Sequence, residues 1–316
     1  MDLSDFLSED PKRKEKFVSE IGKAYEEIGF VSLKNHFLSD ELMKNLYKEV
    51  KRFFTLPLET KKKYEVEGLG GQRGYVSFGK EHAKGKKEGD LKEFWHFGQN
   101  ASDPKLAEEY PENVIVEDLP EFNGVGTEAY EMLEKTGIYV LRALSLYIGM
   151  EENYFDHWVT DGNSILRPIH YPPIKEEPKG AVRAGAHGDI NLITLLMGAS
   201  AGGLQVLRKD GEWIDAIPQE DELVINVGDM LERHTNNKLR STIHRVVNPP
   251  REEWGNPRYS IPFFMHPRSD MKLNCLNECV TNTNSKSYDD ITAGEFLQQR
   301  LSEIGLKKAE VKVEVV

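Results

Sequence analysis

Cysteine is nearly absent: Cys275 and Cys279 are the only two in 316 residues. That excludes a disulfide framework, the spacing fits no metal knuckle, and a reducing compartment suits both facts. Long apolar runs are missing too, and nothing approaches the ~18 residues that a membrane-spanning helix requires. The opening stretch MDLSDFLSEDPKRKEK places acids first and has no apolar centre, unlike a secretory signal. Positive charge is in deficit, with 41 Lys+Arg against 53 Asp+Glu and a net charge of -12. This argues against nucleic acid or an anionic membrane as the main partner. A soluble cytoplasmic protein is the expectation. Hydrophobic residues, at 39%, suffice for a sizeable core, and the length fits one or two domains.

Helical periodicity dominates the first half. Phe17, Ile21, Ala24, Tyr25 and Ile28 predict a helix over 12–28, with Gly29 as its C-cap. A second helix is expected from Ser39, burying Leu42, Leu46, Val50 and Phe53 before Pro57. The longest pattern runs over 121–149, with Val125, Met132, Leu133, Val140, Leu141 and Leu144 on one face and Gly149 placed to end it. The glycine-rich GLGGQRG at 68–74 fails the dinucleotide fingerprint and reads as a surface loop. The runs Lys61–Lys63 and Lys84–Lys87 read as solvated loops.

After Gly149 the texture changes to short strand patterns at 164–171, 187–196, 204–207, 213–217, 222–227, 241–247 and 258–265. Gly, Asp, Asn and Pro mark the joints, which favours a sandwich or jelly roll over a parallel α/β sheet. A helix near 292–304 and the alternating tail EVKVEVV follow, and there are no internal repeats.

Within the segment AHGDINLITLL, at 186–196, His187 and Asp189 stand at the front of an apolar strand pattern. Alternate residues of a strand share a face, so His-x-Asp would deliver two metal ligands from one rigid element. An iron(II) site of the two-His-one-carboxylate type needs one further His and leaves adjacent positions open. His244, in STIHRVV, is the candidate. His-x-Asp alone arises by chance in a chain of this composition. The strand RYSIPFF adds weight, because Arg258 and Ser260 share a face and form a receptor for a carboxylate. A two-headed acid held there could chelate iron with its other end.

These residues are set in a longer pattern. GGLQV at 202–206, GDMLERHTNN at 228–237, STIHRV at 241–246 and Arg258 with Ser260 follow His187 and Asp189 in fixed order. The pattern resembles the iron(II)/2-oxoglutarate-dependent oxygenases of the isopenicillin N synthase-like family. GFVSLKNH at 29–36, FFTLPLETKKKY at 53–64, RGYVSFGKE at 73–81, DLKEFWHFG at 90–98 and ITAGEFLQQRLSEIGL extend the resemblance nearly end to end.

The resemblance implies an α+β protein with a double-stranded β-helix (jelly-roll) core, a helical N-terminal region and a C-terminal helix. It divides the chain at 1–158, 159–268 and 269–316. It implies Fe(II) on His187, Asp189 and His244, with 2-oxoglutarate as co-substrate on Arg258, Ser260 and Tyr171 (the Tyr of ILRPIHYPP). O2 completes the reaction, which hydroxylates or desaturates a small molecule and gives succinate and CO2. Two positions depart from the pattern: Ile169 stands where many plant members have Asn, and Phe37 where the family has Gly.

Period 2 carries Arg167 and Ile169 to the face of Tyr171, so both are candidate substrate contacts, as is Phe264 on the face of Arg258. Arg167 and Arg183 could each bind an anionic group, Arg167 being preferred. With no acidic residue near Arg167 on that face, an anionic substrate is the expectation. His234 reads as packing or turn, His36 as turn or interface, and His170 as structural. An oxidase of the same fold that uses no 2-oxoglutarate stays open, because such relatives keep Arg-x-Ser. A silent ligand-binding jelly roll should have lost a metal ligand, and all three are present.

Overall fold

Asp10 accepts a hydrogen bond from the Lys12 amide and Pro11 fills the first helical position, so the first long helix runs Pro11–Glu27. Phe17, Ile21 and Tyr25 form its buried face. Gly29, at φ +78°, turns the chain out, and a side chain there would meet the Arg240 carbonyl at 2.4 Å. Ser39 caps the helix Asp40–Thr55, which buries Leu42, Leu46, Val50 and Phe53. The longest helix, Pro120–Tyr147, packs against both and against the strand that carries Arg258. Gly137 permits that approach, since a Cβ there would lie 2.4 Å from Met265 Sδ. The computed structural model describes residues 1–69, 71–81, 89–178, 180–198, 200–217, 219 and 221–303. The tail EVKVEVV and Lys84–Lys87 lie outside them.

Among the described residues the strands are β1 (Phe30–Leu33), β2 (Gly74–Val76), β3 (Glu93–Gly98), β4 (Ile165–Leu166), β5 (Ile169–Tyr171) and β6 (Ala184–His187), followed by β7 (Ile193–Met197), β8 (Leu204–Leu207), β9 (Trp213–Asp215), β10 (Leu223–Val227), β11 (His244–Val246) and β12 (Arg258–Met265). The larger sheet has the order β1-β10-β7-β12-β4-β3-β2, with β5 also beside β12 and β3. The smaller has the order β6-β11-β8-β9. Every ladder is antiparallel. This is the jelly-roll core with flanking helices. The N-terminal half contributes β1, β2 and β3 to the larger sheet as well as helices. The last described helix is Ala293–Glu303.

Three expectations need correction. The strand pattern at 187–196 is two strands, because the chain crosses from the smaller sheet to the larger between β6 and β7. Asp189 therefore lies in the crossing loop and not on the strand of His187. An apolar run looks the same whether it stays in one sheet or changes sheets. Next, Lys61 is no solvated residue: it is 7% exposed and bonds both Glu93 oxygens at 2.9 and 2.8 Å. Glu93 also accepts from Tyr75 and contacts His170 Nδ1 at 2.7 Å, so a buried charge network backs the larger sheet. Finally, 68–74 is not a plain surface loop. Arg73 is 1% exposed, and the Gly71 carbonyl accepts from His96 Nδ1 at 2.6 Å.

His234 is a packing residue, 3% exposed, stacked on Tyr154 and bonded through Nε2 to its hydroxyl at 2.9 Å. Burial pushes its pKa down to about 4. Because the unfolded state binds the proton from about pH 6.5, stability contributed by neutral His234 is complete above that value. It is lost as the pH falls toward 4. His234→Gln should flatten the pH dependence of unfolding in that window by up to about one proton, or about 1.4 kcal/mol per pH unit. Urea melts at pH 7, 5.5 and 4.5 would read it, and parallel pH profiles for the two proteins would refute it.

Candidate active site

His187 ends β6, His244 opens β11, and the two are direct partners across the smaller sheet. Their Nε2 atoms lie 3.9 and 3.7 Å from Asp189 Oδ1. All three ligand atoms fall within 4.8 Å of one another. Each imidazole is oriented by its other nitrogen: His187 Nδ1 lies 2.7 Å from the Gly185 carbonyl and His244 Nδ1 3.2 Å from that of Thr242. With the Nδ1 protons on those carbonyls, both Nε2 lone pairs face Asp189. Its other oxygen, Oδ2, accepts from Thr194 Oγ1 at 2.7 Å and Asn226 Nδ2 at 2.8 Å. Oδ1 is left for a cation.

Protonation fits that use. Burial works against ionisation of Asp189, but His244, His187 and the two hydrogen bonds outweigh it and hold the carboxyl below its usual range. Desolvation, then the neighbouring His244, push His187 down to about 4. A carboxylate and a neutral imidazole are the forms a metal takes. Thr194 and Asn226 were missed in the sequence, although each is a polar residue inside an apolar strand, ITLLM and LVINV. Asn226→Leu should weaken metal binding about 10–100-fold while leaving the fold intact. Competition of the Fe(II) protein with a chelator measures it, and an unchanged affinity would remove Asn226 from the site.

The cluster opens on a cavity of about 320 Å³. His187 and Asp189 lie on its wall with Arg167 and Phe264, while Leu297 and Arg300 of the helix Ala293–Glu303 border it. Arg300 pairs with Asp229 at 3.2 Å. The Asp229 amide donates to the Asp189 carbonyl at 2.7 Å, tying that helix to the metal loop.

Arg167 enters the cavity wall, but not as a free cation. Its Nη1 lies 3.4 Å from Glu81, its Nε donates to His96 Nε2 at 2.5 Å, and its guanidinium sits over Phe94 and Phe264. Glu81 also pairs with Lys92 at 3.0 Å, and Lys92 with Asp90 at 2.9 Å. Desolvation opposes the charge on Lys92, yet Glu81 and Asp90 keep its pKa above the ordinary value. Two cations thus face two carboxylates on this wall. The ground for expecting an anionic substrate falls away, because Glu81, from a distant part of the chain, pairs with Arg167.

Arg258 and Ser260 lie opposite Tyr171 and Ile169 in the β12–β5 ladder. Arg258 is 1% exposed, its Nε donates to the Ala201 and Gly202 carbonyls at 3.1 Å, and its Nη1 has no partner among the described residues. A buried guanidinium with an idle donor and no ion pair fits a carboxylate ligand. Tyr171 lies under it, ring centre 5.0 Å away. Ile169 packs in an apolar cluster with Val76, Phe94 and Tyr171 and is not on the cavity wall described above.

A two-His-one-carboxylate cluster on a jelly roll, beside a cavity, is a ligand set that would suit non-haem iron(II). Residues 1–118 match the family described as non-haem dioxygenase in morphine synthesis N-terminal, and 162–267 match the 2OG-Fe(II) oxygenase superfamily. A structure of a 2OG-Fe(II) oxygenase family protein from Caulobacter crescentus is 46% identical, with a TM-score of 0.86 over 96% of this chain and 98% of that one. A full-length Neurospora crassa protein solved in complex with alpha-KG and thymine is 33% identical, with a TM-score of 0.83 over 96% and 95%. Proline hydroxylase buaE of Petromyces alliaceus is 33% identical across 95% of this chain and 97% of its own. The chain belongs to the 2-oxoglutarate/Fe(II)-dependent oxygenases and is an Fe(II)/2-oxoglutarate dioxygenase. No helix among the described residues is long and apolar enough to cross a membrane.

Proposed function

We propose that His187 Nε2, Asp189 Oδ1 and His244 Nε2 hold the iron, and that Arg258, Ser260 and Tyr171 hold the distal carboxylate of 2-oxoglutarate. The bound iron supplies O2 activation, coupling the oxidation of 2-oxoglutarate to succinate and CO2 with hydroxylation or desaturation of a small molecule. The protein's own residues set the stage. Both Nδ1–H groups fix the imidazoles, Thr194 and Asn226 fix the carboxylate, and Phe264 with Leu297 restricts water at the cavity.

The substrate is a small polar molecule with no net charge. The observation that carries this reading is the balanced wall, where Lys92 and Arg167 are matched by Glu81 and Asp90. A net anion or cation entering it would lose hydration with no unmatched opposite charge to meet. Proline and thymine, named for two of the relatives, are both uncharged overall. The test is a screen for substrate-stimulated succinate formation with sets of neutral, zwitterionic and anionic compounds. Stimulation confined to anions would defeat the substrate reading. Substrate-dependent O2 uptake without succinate would favour the oxidase of the same fold.

A further inference from the structure

Arg183, just before β6, brings a second guanidinium to the neighbourhood of Arg258. Its guanidinium carbon is 5.9 Å from the centre of the Tyr171 ring, and that of Arg258 is 5.0 Å from the same ring. Arg183 is 2% exposed; its Nη2 donates to the Asn256 carbonyl at 3.2 Å, and its Nε has no partner among the described residues. Lys61, Lys92 and Arg167 each face a carboxylate within 3.4 Å. Arg183 and Arg258 have no ion pair among the described residues; Glu253 adds only a weak favourable field at Arg183.

Two buried like charges around one aromatic ring raise the energy of the ligand-free protein, and an anion between them offsets that cost. A carboxylate has about four acceptor sites, more than one guanidinium fork can fill. Arg183 also lies four residues before His187, roughly 13 Å of extended chain, which sets it at the end of the site remote from the metal ligands. We propose that Arg183 is a second receptor for the distal carboxylate of 2-oxoglutarate, so that this carboxylate is held between two guanidiniums. The proposal rests on the co-substrate site assigned above.

The test compares two ligands that differ only at that end, 2-oxoglutarate and 2-oxopentanoate, which ends in a methyl group. Each is titrated by calorimetry into the Mn(II)-loaded protein, for wild type, Arg183→Leu, Arg183→Lys and Arg258→Ala. Arg183→Leu should raise the Kd of 2-oxoglutarate about tenfold or more, the loss of one or two charge-assisted bonds, and leave that of 2-oxopentanoate unchanged. Arg183→Lys should fall between. Equal weakening of both ligands would make Arg183 a structural residue and overturn the proposal, as would unchanged affinity for 2-oxoglutarate in Arg183→Leu while Arg258→Ala loses it. A wild type that does not prefer 2-oxoglutarate to 2-oxopentanoate would instead fail the co-substrate site itself, and this proposal with it.

Discussion

Asp189→Ala should yield a folded protein that retains no iron after desalting and forms no succinate above background. The carboxylate supplies the only negative charge among the three converging ligand atoms, and without it two imidazole nitrogens remain. The loss should exceed the ~10–100-fold that removal of an outer hydrogen-bond partner costs, because the ligand itself is gone. Thr194 and Asn226 would each lose the shorter of two hydrogen bonds, keeping Asn191 Oδ1 at 3.3 Å and the Val227 carbonyl at 3.4 Å, so some stability goes as well. Asp189→Asn keeps an oxygen for those donors and separates the two effects. It should melt close to wild type and still bind iron poorly. Metal content, thermal melts and succinate assays decide. Normal iron retention in Asp189→Ala would place the metal elsewhere.

Arg258→Ala should weaken 2-oxoglutarate by about 2–5 kcal/mol, the cost of truncating one partner of a buried, hydrogen-bonded charge pair. That is roughly a 30- to several-thousand-fold rise in Kd. Iron affinity should hold, since Arg258 lies in the larger sheet while both histidines belong to the smaller. The measurement is an anaerobic titration of 2-oxoglutarate into the Fe(II) protein, following the visible chelate band. An unchanged midpoint would mean that another group holds the co-substrate.

Much of this was legible because the signals were local. Caps such as Gly29 and Ser39, period 3.6 in the helices and period 2 in RYSIPFF need no distant partner to be read. The order of the metal and carboxylate motifs was likewise visible, since each is short. What failed was whatever depended on contact across the chain. Arg167 looked unpaired because Glu81 is 86 positions away. Lys61 looked solvated because Glu93 lies 32 positions on, in β3. The Asp189 loop looked like strand because the buried apolar run Leu192, Ile193 and Leu195 follows it directly, with no signal to mark the change of sheet. Asn226 and Thr194 were in plain view as polar intruders in apolar strands, a pattern that asks what they bond.

The crossing at residues 188–192 gives the iron site a mechanical side. Two of its ligands ride on the four-stranded sheet, while the third is braced by Thr194 of β7 and Asn226 of β10, both in the eight-stranded sheet. A cation bound there would join the two halves of the sandwich beside the cavity. The free energy of its capture is then also free energy of closure, growing as RT ln(1 + [metal]/Kd).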